Sequence, residues 1–318
     1  MLLGEHAVLH GRRALVCAIN KRITVQLFQT LEKTVRIVSD LGAYEAPLGA
    51  LTDHPDFRFV LDAVKQYPLT QGFELKIESE FSSDIGFGSS AAVTVATHAA
   101  LMNNPPRPSL CSGHPSHGGD LLNSPPPEGC PQGGVGSFDS IFLNELFKRS
   151  LATIHRVQGR GSGADVAASV FGGVVAYRAE PLEIKPLAES FPLTAVYSGS
   201  KMKTADVIRY LEESRALNAD YFERIFDRMD ASVGEVIEDF LQLGRMLILN
   251  QKLMEEMGLC NDALSEIITG FQEQGVPAKI SGSGLGDCAI GLGVFPTIGT
   301  FQTYPLQVES MGVCFCDM

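Results

Sequence analysis

Between Ser79 and Ala92 the chain reads Ser-Glu-Phe-Ser-Ser-Asp-Ile-Gly-Phe-Gly-Ser-Ser-Ala-Ala. Two glycines, two serines and then a run of small residues from Ala91 to Ala100 describe a loop that turns into a helix. Glycine lets the main chain approach a polyphosphate with no Cβ in the way, and the first amides of a helix are unpaired donors at the positive end of its dipole. Serine hydroxyls add donors, and one of them can ligate Mg²⁺. The stretch therefore reads as a phosphate cradle, although taken alone the same turn serves more often as a plain helix cap. No Walker A segment occurs anywhere in the chain, so a nucleotide held here would not be held in the manner of a P-loop enzyme.

A second chemical group follows from Gly159-Arg160-Gly161-Ser162-Gly163-Ala164-Asp165. This glycine-rich turn delivers Asp165 to the start of the apolar segment Val166 to Val170. There the end of a helix favours an anion, and a capping role is equally open. A third glycine-rich turn lies in Lys279 to Leu292, KISGSGLGDCAIGL, which reads as strand, turn, strand. Such a turn is usually only a hairpin; beside a nucleotide it would lie close to the phosphates.

The elements around these turns follow from hydrophobic period. Ala14 to Ile19, Ile23 to Phe28 and Val35 to Val38 read as strands. Asp53-His54-Pro55-Asp56 reads as the start of a helix, with Phe59, Val60, Ala63, Val64 and Tyr67 on one face. Phe73, Leu75 and Ile77 alternate with Glu74, Lys76 and Glu78, a half-buried strand leading into the cradle. Helices are expected over Asn144 to Val157, Ala219 to Leu241, Met246 to Met257 and Ala263 to Gln272. Strands are expected at Val174 to Tyr177 and Leu193 to Tyr197, and Ser198-Gly199-Ser200-Lys201-Met202-Lys203-Thr204 starts another helix at Thr204. Residues 103–142 hold eight of the seventeen prolines and seven glycines. That composition supports neither a packed helix nor a core strand, and reads as a flexible insertion. Within it Cys111, His114, His117 and Cys130 are spaced more loosely than zinc ligands normally are.

The 318 residues suggest two domains, and 45% hydrophobic with 19% charged residues is the composition of a globular protein. A formal net charge of −12 argues against a nucleic-acid or anionic-membrane partner. Seven cysteines in no regular framework suggest reduced thiols in a cytoplasmic protein, and neither a signal peptide nor a membrane-spanning run is read.

Three blocks in order, GEHAVLHG at 4–11, DIGFGSSAAV at 84–93 and KISGSGLGDCAIGL at 279–292, resemble the three motifs of the GHMP kinases. SGAD at 162–165, SGSKMKT at 198–204, NQKLMEEMGL at 250–259 and LSEII at 264–268 agree. After Gly-Glu-His the chain continues Ala7-Val8-Leu9-His10-Gly11, which is similar to the mevalonate kinase branch rather than to galactokinases. The resemblance implies an α+β fold in two domains: a ribosomal protein S5 domain 2-like N-terminal domain over 1–180 and a ferredoxin-like C-terminal domain over 181–318. It implies ATP and Mg²⁺ as cofactors and a small-molecule alcohol, mevalonate, as acceptor in isoprenoid synthesis; a homodimer is compatible with it. Another small-molecule kinase of the family, acting on phosphomevalonate or a sugar, and a non-catalytic nucleotide-binding member are the alternatives.

Residue by residue, the resemblance implies that Asp165 takes the proton of the attacking hydroxyl, with Thr204 supporting it. Asp84, Ile85, Gly86, Phe87, Gly88, Ser89 and Ser90 form the phosphate loop, with Ser90 on Mg²⁺. Ser79 contacts the nucleotide, Glu5 and His6 meet the acceptor, and Gly282, Ser283 and Gly284 cover the nucleotide from the second domain. The chain departs from the family pattern at four places. The strand with a lysine that precedes Gly-Glu-His would lie before Met1, and the family's Mg²⁺-binding glutamate aligns with Ile154. The first glycine of the loop is Asp84, after Ser82 and Ser83 where prolines are customary. Residues 103–142 replace ordered helix.

Overall fold

The computed structural model describes residues 1–82, 85–103, 139–187 and 189–315. After a short 3-10 turn at Ala7–His10 come the strands β1 (Ala14–Cys17), β2 (Ile23–Thr30), β3 (Thr34–Ser39) and β4 (Gly42–Pro47). They are followed by α1 (Arg58–Lys65), β5 (Gly72–Ser79), α2 (Ser89–Asn103), α3 (Ser140–Gln158), α4 (Ala164–Phe171), β6 (Val174–Arg178) and β7 (Glu183–Leu187). The remaining chain forms β8 (Pro192–Tyr197), α5 (Thr204–Leu217), α6 (Ala219–Glu238), α7 (Leu243–Glu256), α8 (Asp262–Glu273), β9 (Ala278–Ser281), β10 (Cys288–Leu292) and β11 (Gln302–Gln307). The fold is α+β, with largely antiparallel sheets and helices segregated to their faces.

Alternation decides the first sheet, ordered β2-β5-β3-β4. Phe73 and Leu75 of β5 are fully buried, while Lys76 between them and Ile77 points out. They pack with Val35 and Ile37 of β3 against Val60, Leu61 and Val64 of α1. β3 and β5 run parallel with Ile37 opposite Leu75, and the other pairs of the sheet are antiparallel. β4 carries Gly42 and Ala43 and has no apolar run, so sequence reading passed over it; its Tyr44 is buried and bonded to the Thr52 backbone.

A second sheet, β1-β6-β7, lies under α2, α3 and α4, where Val95, Phe147, Val166, Val175 and Tyr177 share one core. The third sheet, β11-β8-β10-β9, is antiparallel and packs α5 to α8 through Phe226, Met229, Leu253, Phe271 and Ile280. Leu15 and Val174 of the second sheet are continuous with Leu193, Val233 and Leu247 of the third layer. The two sheets are thus joined by a shared apolar seam. Among the described residues no helix is long and apolar enough to cross a membrane.

Two sequence expectations shift at their edges. Helix α1 starts at Arg58 rather than at Asp53, and its cap Phe57 makes no side-chain bond. Asp53 instead reaches Lys65 at 2.7 Å. The stretch expected to be an insertion ends earlier than residue 142: Asp139 caps α3 by accepting the Phe142 amide at 2.7 Å, so 140–142 are already helix. Cys111, His114, His117 and Cys130 lie outside the described residues, as does Asp84.

Candidate active site

The cradle is clamped from both sides. Gly86 and Gly88 have φ of +69° and +76°, a region closed to most side chains, and this lets the backbone double back before α2 begins at Ser89. The Gly88 carbonyl accepts the Ala92 amide at 3.0 Å, which makes Gly88 the helix cap. Phe87 meets Phe81 at a tilt, 5.8 Å between ring centroids, and stands edge-on at 5.6 Å from Tyr304 of β11. From the third sheet the Cys288 thiol donates to the Ile85 carbonyl at 3.3 Å. The loop is therefore fixed between the first and third sheets.

Asp165 comes to this loop on α4. The helix is launched by Gly163 at φ +84°, and the turn is held by Tyr177 of β6, whose hydroxyl donates to the Ser162 carbonyl. A Cβ on Gly163 would stand 2.6 Å from that hydroxyl, so only glycine fits. Burial pushes the Tyr177 phenol up to about 12, and it stays a neutral donor. Asp165 itself is exposed. A Cβ on Gly88 would lie 3.8 Å from its Cγ, so carboxylate and cradle face one another directly.

Both border a cavity of about 410 Å³. Its walls include Gly86, Phe87, Gly88 and Asp165 at one end and the Ala92, Val95 and Ala99 face of α2 across from Val25 of β2 at the other. Lys21, Arg22, Ser281 and Cys288 are among its polar walls. A space of this size, mostly apolar with a few convergent polar groups, is that of a small-molecule site.

The other sequence-derived residues fall in three places. Ser89 and Ser90 occupy the first turn of α2, partly buried, with the Ser90 carbonyl accepting from Thr94 at 2.6 Å. Ser79 is exposed at the end of β5, and its hydroxyl closes the turn to the Phe81 carbonyl at 2.7 Å. Thr204 opens α5 as expected but is exposed and away from the cavity lining.

Glu5 and His6 are also withdrawn from the cavity. Glu5 is 2% exposed and paired with Lys279 of β9, which is 0% exposed. His6, at φ +59°, donates through Nε2 to the Ser283 carbonyl at 2.8 Å. Burial holds the His6 imidazole below its ordinary value, hence neutral. Contact with an acceptor through these two side chains does not follow from this arrangement; they lock the first motif onto the third. Ser283 is used in this lock, while Gly284 packs beyond the end of α7, where a Cβ would strike Leu259 at 2.8 Å. Gly282 has open space around it.

Sequence reading missed several groups. Asn250 and Gln251 of α7 are buried and bond the Gly4 amide at 3.4 Å and the Ile280 amide at 2.8 Å. The signal was present as an amide pair on the buried face of α7, beside Met246, Leu247, Leu253 and Met254. Asp287 was hidden among glycines. Its carboxylate faces Gly86, and Lys201 Nζ approaches its Oδ2 at 3.7 Å. Burial pushes the Asp287 carboxyl above the usual range, Lys201 pulls it back, and Asp165 adds a smaller push.

The residues fit a metal–triphosphate complex in one respect. Asp287 Oδ1 is a buried carboxylate oxygen with no hydrogen-bond partner among the described residues, beside a loop shaped for phosphate. No group of three or more His, Cys, Asp or Glu among the described residues forms a metal cage. Mg²⁺ ordinarily uses one or two carboxylates with phosphate oxygens and water. Ile154, in α3, is 6% exposed inside the apolar core and offers no ligand.

Comparison with known proteins agrees with this geometry. The model of the GHMP kinases N terminal domain matches residues 57–105, from α1 through the cradle, and that of the GHMP kinases C terminal domain matches residues 222–293. The mevalonate kinase of Archaeoglobus fulgidus is 30% identical over 298 residues, covering 92% of this chain and 89% of the relative. The crystal structure of the Methanococcus jannaschii mevalonate kinase superposes with a TM-score of 0.73 at 20% identity over 96% of this chain and 95% of that one. The L. major mevalonate kinase in complex with R-mevalonate gives 0.70 at 19% identity, covering 98% and 94%. With both halves matched and a relative this similar along nearly its whole length, the chain belongs to the GHMP kinases.

Proposed function

We propose that this protein is an ATP-dependent kinase that phosphorylates the primary alcohol of mevalonate to 5-phosphomevalonate, a step of isoprenoid synthesis, in the cytoplasm and with Mg²⁺. The observation that carries the reading is the convergence of Asp165 with Gly86 and Gly88 on one cavity, in a chain 30% identical to a mevalonate kinase. Backbone amides of the cradle and the start of α2 would hold the triphosphate. Asp165 would orient the acceptor hydroxyl and accept its proton as the γ-phosphoryl is transferred. Mg²⁺, when bound, supplies neutralisation of the phosphate charge, and Ser90 with a carboxylate near the cradle other than Asp165 would hold it. The shared seam of Leu15, Val174 and Val233 supports a site built between halves divided near residue 180.

ADP release tests the reading. Mevalonate, phosphomevalonate, galactose and homoserine are offered separately with ATP. Release with mevalonate supports it, and release only with another acceptor replaces the substrate while keeping the phosphotransfer. Ile154 favours a second reading, a member that binds nucleotide without turning over. Calorimetric ATP binding with no ADP from any of the four acceptors would select it.

A further inference from the structure

The turn between β9 and β10 aims one side chain at the cradle. Asp287 has φ of +67°, in the left-handed region that side chains rarely adopt. It is held there by two main-chain bonds, its amide to the Ser200 carbonyl at 2.6 Å and its carbonyl from the Ser198 amide at 2.9 Å. The direction of its carboxylate is therefore built into the turn. That carboxylate lies over the α-carbon of Gly86, where an added Cβ would stand 2.1 Å from Oδ1 and 2.2 Å from Oδ2. Only glycine at 86 leaves room for it.

This carboxylate is poorly served by the protein alone. Oδ1 is shut off from solvent and accepts no hydrogen bond among the described residues, and the ammonium nearest Oδ2 is 3.7 Å away. A buried anionic oxygen without a donor is costly, and the cost is met when a cation or donor arrives. A second carboxylate, Asp165, borders Gly88, two residues along the loop from Gly86. A triphosphate arriving at the loop would add more negative charge beside these two acids, where the Lys201 ammonium is 3.7 Å from Asp287 Oδ2. A divalent cation offsets such a concentration of negative charge.

We propose that Asp287 ligates the divalent cation that accompanies the triphosphate, so that the β9–β10 turn closes the cation site while Asp165 stays free to act on the acceptor hydroxyl. The inference rests on the phosphotransferase reading above and assigns its metal carboxylate. One carboxylate with phosphate oxygens and water is a donor set that Mg²⁺ takes in such sites.

The test uses the full chain, ATP, and Mn²⁺ as the probe. ATP affinity is measured by calorimetry with and without Mn²⁺, and the bound ion is followed by its paramagnetic resonance spectrum. In the unsubstituted protein Mn²⁺ tightens ATP binding at least tenfold. Asp287→Asn loses most of that gain and alters the bound-Mn²⁺ spectrum, while metal-free ATP binds as well as before or more tightly, since one negative charge has gone. Asp287→Ser repeats the measurement should the asparagine variant melt early. Retention of the full Mn²⁺ gain in both variants overturns the proposal. So does an equal loss in Lys201→Met, which would mean that Asp287 acts only as the partner of that lysine. Absence of ATP binding in the unsubstituted protein, with and without Mn²⁺, sinks the kinase reading itself.

Discussion

Gly88 and Asp165 face one another at the mouth of the cavity, near enough that a methyl group on the glycine would stand 3.8 Å from the aspartate Cγ. The contact separates binding from chemistry. Asp165 is exposed and supports no core, so Asp165→Asn should leave the melting temperature within about 2 °C. Turnover should fall by about 10²- to 10⁴-fold, the range for loss of a positioned general base, while KM for ATP moves less than about threefold. Steady-state kinetics beside a thermal melt check this. A large rise in KM with turnover preserved would make Asp165 a nucleotide-binding residue instead.

Gly86 makes the opposite prediction. A Cβ there would lie 2.1 to 2.3 Å from the Asp287 carboxylate, and φ of +69° strains any other residue. Gly86→Ala must therefore push the β9–β10 turn off the loop, and ATP affinity should fall at least tenfold. In the double variant Gly86→Ala with Asp287→Gly the collision is gone and only the backbone strain of about 1 kcal/mol remains. Metal-free ATP binding, measured by calorimetry, should recover to within about fivefold of the unsubstituted protein.

These two positions mark how far the sequence could be read. Gly86, Gly88 and Asp165 were legible because glycine before a helix and an acid after a glycine turn each carry a local signature. The strands with strict alternation, such as Phe73 to Ile77, were legible for the same reason. Asp287, Lys279 and Asn250 were not, since their roles depend on residues more than two hundred positions away, on the Gly4 to His6 segment or the cradle, and Gln251 was not because it serves the Ile280 amide of another element. Glu5 and His6 carried the right motif for the family, yet the structure turns both inward, onto Lys279 and Ser283. A motif specifies which residues are used and leaves open which way they point. Strands β7 and β11 escaped because Pro186 and Pro305 interrupt their apolar pattern, as edge strands tolerate.

His98 on α2 sets an acid limit. The ring is fully buried between the Tyr67 hydroxyl at 2.9 Å and the Thr153 hydroxyl at 3.0 Å, with Arg149, Asp62 and Arg156 around it. Burial lowers its pKa from 6.5 to about 4, with Arg149 acting in the same direction. The folded state thus binds the proton less readily than the unfolded chain. Its contribution is complete above about pH 6.5 and is lost as the pH falls toward 4. Between pH 7.5 and pH 5 this group alone should remove about 2 kcal/mol of stability. Urea midpoints should show that loss in the unsubstituted protein and a clearly smaller one in His98→Gln. Equal slopes in the two proteins would assign the acid sensitivity elsewhere.

The pair of Glu5 and Lys279 carries the longest-range consequence. Both are buried, Lys279 also donates to the Ile280 carbonyl, and Glu5 Oε2 has no partner among the described residues. Burial pushes the Lys279 ammonium below its ordinary value and Glu5 opposes that shift, so each charge depends on the other. Lys279→Met strands a carboxylate in the interior and should cost about 3 to 5 kcal/mol, as should Glu5→Gln with the lysine left in place. The double variant Glu5→Gln with Lys279→Met buries no charge and should be more stable than either single one, often close to the parent. A denaturant-unfolding cycle should therefore return a coupling of at least about 2 kcal/mol, well beyond the additivity of independent sites. If the double variant restores stability and the first motif stays docked through His6 and Ser283, turnover should return with it. Stability without turnover would show that the buried charges themselves, rather than the docking they provide, are needed for phosphotransfer.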